Sequence, residues 1–315
     1  MIKVFIDLLS FLRTTFPLIF CVAVFALFFI LLAKSVKKYY YIYYTLFAIP
    51  SLLVIIPSIL GMCGIELPFS FIRVPVLGEI LRDYIHMAAL GHPLLIVIMY
   101  MGALDTRRPY VKKLMSIRKE ISIISGFPVL THSWIRTINN FPASLKYFTD
   151  HSAFMENPRV TSELGAGITN TSLVLGIIML VLFLMLWITS FDVVHKRLGG
   201  IRWKKIQKWS YVLYVLLFVH AMGLQVGRMV TSNASENRAK TEVVANADSR
   251  EQQPQAQQGH GGGGRAPSKG IADIQISSTV KQWISIYSFL LIYGSYLILR
   301  VRKAKMKSRR KSFNI

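Results

Sequence analysis

The chain has 315 residues, 53% of them hydrophobic and only 17% charged, with a mean hydropathy of +0.46 and a formal net charge of +22. A soluble domain carries about 25% charged residues, so this balance describes apolar segments separated by basic ones. It excludes disorder throughout; two cysteines, Cys21 and Cys63, exclude a disulfide scaffold, and Lys and Arg set between oily runs argue against nucleic-acid binding.

A hydrocarbon core about 30 Å thick needs about 20 apolar helical residues. Seven stretches meet or approach that length, at 16–33, 41–62, 84–104, 121–138, 171–191, 209–229 and 280–299. None alternates polar and apolar residues as a barrel strand does, so the fold class is an all-α integral membrane protein, a bundle of about seven transmembrane helices. Lys3 and Arg13 precede the first apolar run as they would in a signal peptide. That run lacks a small-x-small cleavage site and is expected to stay as a helix.

Orientation follows from the basic residues. The connections after the first, third, fifth and seventh stretches hold 23 of the 37 Lys and Arg and only three acids, a net +20 against +2 for the other side. The basic side is expected to be cytoplasmic, with the N-terminus outside and the C-terminus inside a multi-pass cell-membrane protein. Positive-inside topology and attraction to anionic membrane lipid then account for the high pI.

Residues 231–279 change composition and carry a Gln- and Gly-rich tract around His260, expected to be a disordered outer linker. The chain then divides into N-terminal helices (1–79), a core (80–230), the linker (231–279), and a last helix with a basic tail (280–315).

Ionisable groups at bilayer depth call for explanation. His132 lies 14 residues beyond Arg118, and His220 lies 13 beyond Gln207, on helices running in the same direction. At 1.5 Å per residue both stand about 20 Å above one boundary. Two imidazoles at one level suit the axial positions of a haem iron. His92 reaches a similar level and is a rival ligand or a hydrogen-bond partner. Hydrogen bonding between helices would explain all three equally. His86, His151 and His195 are read as interfacial or solvated. Cys21 and Cys63 are read as structural.

The basic pair Arg118 and Lys119 followed by His132, the Leu186-x-x-Thr189-Ser190 exit, and the series Leu198, Gly199, Trp203, Tyr211, His220 resemble the ferric reductase-like transmembrane domain family. The branch most resembled is the haem-binding membrane subunit of the bacterial periplasmic protein-methionine-sulfoxide reductase. The resemblance implies a six-helix haem-binding core, here followed by one extra C-terminal helix, and makes His132 and His220 ligands of one b-type haem. Where that branch has a further inner histidine this chain has Gln207, with Arg118 opposite, so a second, inner haem is not expected. The branch also implies a quinone or FMN near the inner side, where Arg118, Gln207 and Arg202 are candidate contacts.

A haem with two imidazole ligands offers no open position to substrate, so its work is electron transfer. No Gly-x-Gly-x-x-Gly motif opens a nucleotide-binding unit. Electrons are therefore expected from quinol or a cytoplasmic flavoprotein, and should pass to an extracytoplasmic redox partner or ferric iron. The alternative is a haem-free permease, or a membrane assembly or anchor protein.

Overall fold

The structure, a computed structural model, describes residues 11–65, 67–85, 90–158, 160–251 and 277–312. Every regular element among them is helical. Helices satisfy each backbone polar group within the segment, as a lipid environment demands.

Helix α1 (Pro17–Lys38) opens with proline in its first turn, where no N–H is required, and closes on Lys37 and Lys38 at the negative end of its dipole. Helix α2 (Tyr40–Met62) follows directly and contains Pro50 and Pro57. A short 3-10 turn leads to α3 (Leu77–Ile85), then α4 (Gly91–Ala103) and α5 (Pro109–Ser116). The long α6 (Arg118–Thr149) is followed by the single-turn α7 (His151–Met155). The Ser162 hydroxyl caps α8 (Glu163–Ile188) by accepting from the Gly165 amide. Helix α9 (Asp192–Gln207) bends at Gly199, whose φ of 73° lies in the left-handed region that glycine favours. Helices α10 (Ser210–Glu251) and α11 (Ser278–Ser312) complete the chain.

Five helices are long and apolar enough to cross a membrane: α1, α2, α8 and the apolar parts of α10 and α11. The other two expected spans differ from the sequence pattern. The 84–104 stretch is divided: α3 ends at Ile85 and α4 begins at Gly91, with Pro93 in its first turn, leaving a helix of 13 residues. That helix is buried from Gly91 to Met99, enclosed by protein rather than lipid. The 121–138 stretch lies within the 32 residues of α6, too polar to rank with the other spans. It can be so because α2, α4 and α8 pack around it.

The expected linker is also shorter than its composition suggested, since α10 continues helical to Glu251. Residues 231–251 are rich in alanine and glutamate, good helix formers that prolong a helix already nucleated. The Gln- and Gly-rich tract from 252 to 276, with His260, lies outside the described residues.

Lipid supplies no hydrophobic drive between helices, so close packing of small residues matters more than apolar area. Helices α8 and α10 pack together in this way, Gly223 lying against Ser172 so closely that a methyl group there would overlap the serine hydroxyl. The outer faces of α1, α2, α8 and α10 carry exposed Leu31, Leu52, Val181 and Val215, as a lipid-facing surface requires. Helix α11 packs against α4 and α10. The basic connections converge on one end: Lys119 pairs with Asp192 at 3.0 Å, and Lys303 donates to Leu104 O at 2.8 Å.

Candidate functional site

Helices α6 and α10 bring His132 and His220 to the lining of one cavity of about 330 Å³. His132 Nδ1 is 2.7 Å from Ile85 O, and His220 Nδ1 is 2.6 Å from Ser172 O. A carbonyl can only accept, so each Nδ1 carries a proton, and in the neutral ring Nε2 then carries the lone pair. A ring held this way coordinates a metal through Nε2, its plane fixed and its basicity raised by the second bond. On α8, a side chain at Gly176 would place its Cβ 3.1 Å from His220 Cε1, so glycine there leaves the imidazole its room.

The cavity is apolar around the histidines, with Met179, Phe183, Leu217 and Leu224, and polar farther from the basic end. Arg136, one turn beyond His132, and Arg228, two turns beyond His220, both line it. Neither forms an ion pair with a carboxylate among the described residues. Asn140, a turn beyond Arg136, has its side-chain oxygen buried without a hydrogen-bond partner. Two imidazoles lining one cavity, apolar side chains between them, and two guanidiniums with no carboxylate partner among the described residues beside an orphaned amide fit a haem, an apolar disc with two carboxylates at one edge. Among the described residues no three His, Cys, Asp or Glu side chains gather into a cage for a bare metal ion.

Sequence reasoning missed Arg136, Asn140 and Arg228, because they fall beyond or at the edge of the apolar windows. The available signal was spacing: 132, 136 and 140 are successive turns of one helix face, as are 220, 224 and 228.

His92 lines the same cavity and is 3% exposed. Its Nε2 lies 2.8 Å from the Tyr293 hydroxyl of α11, and its ring packs against Phe289. His151 lies 3.2 Å from Glu163, and the His195 ring rests on Trp203. His86 and His260 lie outside the described residues. Cys21 and Cys63 form no disulfide.

Toward the basic end a second cavity, of about 340 Å³, is lined by Arg118, Gln207, Trp187, Trp203 and His195. Leu95, Phe183 and Leu213 line both cavities, so only an apolar partition separates them. Arg202 is exposed on α9 and does not line the inner cavity, unlike Arg118 and Gln207. The motif residues build its walls. Trp203 Nε1 donates to Thr189 O at 2.9 Å, Gln207 Nε2 to Thr189 Oγ1 at 3.0 Å, and Trp187 Nε1 to Ile123 O at 3.1 Å. Gln207 thus holds α9 to the end of α8 by a bond its amide can donate.

No curated protein and no solved structure matches the chain. Residues 85–218 match the family described as the ferric reductase like transmembrane component. That match takes in His132 and the inner cavity's Arg118, Trp187, Trp203 and Gln207, and ends just before His220. This part of a multi-pass, all-helical chain is similar to a ferric reductase-like transmembrane domain.

Proposed function

We propose that the protein is a membrane electron carrier that holds one b-type haem between His132 and His220. It passes electrons from quinol or a cytoplasmic flavoprotein at the basic end to an extracytoplasmic acceptor, a redox partner protein or ferric iron. The observation that carries this reading is the matched pair of Nδ1-to-carbonyl bonds, which gives both imidazoles of one cavity the ligating tautomer. The haem supplies one-electron storage through its iron. His132 and His220 would hold the iron between them, leaving no open position for substrate. Arg136 and Arg228 neutralise the propionates and favour the reduced, less positive iron. Leu95, Phe183 and Leu213 keep water from passing between the cavities while leaving them adjacent. Arg118 and Gln207 offer polar contacts to a quinone or FMN headgroup in the inner cavity. The protein sits in the cell membrane with its basic end cytoplasmic. Among the described residues no carboxylate lines the histidine cavity, which weighs against a cation permease.

The test is a spectrum. Protein purified after expression with ample haem supply should give the reduced-minus-oxidised bands of a low-spin b-type haem, and quinol should develop them without dithionite. Colourless protein would end the proposal. Replacing Arg136 or Arg228 by glutamine should lower the midpoint potential by tens of millivolts in a redox titration. A unit charge about 10 Å away at an effective dielectric near 20 is worth roughly 1–2 kcal/mol.

A further inference from the structure

A third cavity, of about 240 Å³, opens at the basic end between the C-terminal end of α4, the start of α10 and the last turns of α11. Three cations line it, Arg118, Arg300 and Lys303, with the hydroxyl groups of Thr106, Ser210, Tyr211, Tyr214 and Tyr296. Among the described residues no carboxylate does.

Two of the cations are anchored. Arg300 donates to Gly102 O at 2.8 Å and to the Tyr211 hydroxyl, with its guanidinium 4.7 Å from that ring's centre. Lys303 donates to Gly102 O at 3.0 Å and to Leu104 O at 2.8 Å. The end of α4, with its unpaired carbonyls and negative dipole, is a natural seat for them. A guanidinium has five N–H groups and an ammonium three, so donors remain for a ligand. The Arg118 side chain makes no hydrogen bond or ion pair with any described residue. The nearby Asp105 is already chelated by Arg107, with contacts of 2.9 to 3.2 Å, and those bonds hold its carboxyl down to about 2. Three cations, two of them anchored, therefore share a partly enclosed pocket that no carboxylate lines among the described residues.

We infer that this pocket binds a phosphate group, carried either by an anionic phospholipid or by a soluble phosphate ester. A carboxylate would neutralise one cation and use two oxygens. A phosphate presents oxygens in several directions, matching cations on α6 and α11 and hydroxyl donors on α10. The pocket lies at the membrane boundary, where basic clefts between helices take up lipid head groups. The inference does not depend on haem: α11, which supplies two of the cations, lies outside the matched family segment.

The experiment uses the full chain in detergent, delipidated and then titrated while its thermal stability is followed. The probes are inorganic phosphate against chloride at equal ionic strength, and nanodiscs of phosphatidylglycerol against phosphatidylcholine. Stabilisation by inorganic phosphate identifies a soluble ester as the source, and stabilisation by phosphatidylglycerol alone identifies a lipid. Arg118→Gln is the decisive variant, since the Arg118 side chain makes no hydrogen bond or ion pair among the described residues. It should bind the effective probe about tenfold to a hundredfold more weakly, as loss of a charged hydrogen bond implies. Lys303→Gln should do the same, and if it fails to fold, Arg118→Gln still decides. No stabilisation by either probe, or binding by Arg118→Gln equal to the unaltered chain, would overturn the inference.

Discussion

Protein carrying His132→Ala or His220→Ala is expected to purify without haem, while His92→Ala keeps it. The expectation rests on where each ring's nitrogens are committed. His132 and His220 give Nδ1–H to Ile85 O and Ser172 O, fixing both rings toward the shared cavity. Loss of a partner beside a metal ligand already costs about tenfold to a hundredfold in affinity, and loss of the ligand itself costs more. His92 instead has Nε2 bonded to Tyr293 and its ring packed on Phe289. Its removal should loosen the contact between α4 and α11 and leave the iron's axial set intact. Absorption spectra of the three variants, at matched protein concentration, separate the roles. Haem lost from the His92 variant and retained by the other two would reverse the assignment. A His220→Gly variant whose haem returns on adding imidazole would further tie that position to ligation rather than folding.

Gly126→Ala should be strongly destabilising. The Trp187 indole lies against the Gly126 backbone, and a Cβ there would overlap the ring. The ring cannot simply rotate away, because its Nε1 donates to Ile123 O and its faces meet Phe127 and Phe191 edge to face. Overpacking costs typically 1–3 kcal/mol, and leaving the Trp187 N–H and the Ile123 carbonyl without each other adds roughly 1–3 kcal/mol. Thermal unfolding in detergent should show a clearly lower transition for Gly126→Ala. By contrast Gly200→Ala, where a side chain meets nothing, should leave the transition unmoved. Equal stability of the two variants would mean that α6 and α8 are not seated through Trp187.

What could be read in the sequence follows from how each signal arises. The lipid-facing helices announce themselves, because a segment such as α8 must be apolar on every side. The helix enclosed by others is released from that demand. Hence α6 carries Arg136 and Asn140 and continues to Thr149, well past its apolar stretch, and α4 can be short. The pair His132 and His220 was legible because equal distance from a basic boundary is a one-dimensional property. What surrounds the pair was not. That Arg136 and Arg228 line one cavity depends on the rotation of α6 against α10. The phosphate pocket was hidden for a similar reason: Arg118 and Arg300 meet only through the return of α11 to the end of α4. Topology explained every basic residue near the boundary in the same terms and so could not single out Arg118, Arg300 and Lys303.

The bonds from His92 to Tyr293, from Tyr100 to Ile292 O and Ser295, and from Gly102 O to Arg300 and Lys303 tie α4 to α11. During synthesis the ribosome delivers α4 some 200 residues before its neighbour. Until then His92 has no phenol to bond, and the carbonyls ending α4 lack their two cations. Maturation of the central chamber is therefore a late event, governed by the arrival of the final membrane segment rather than by completion of the reductase-like portion.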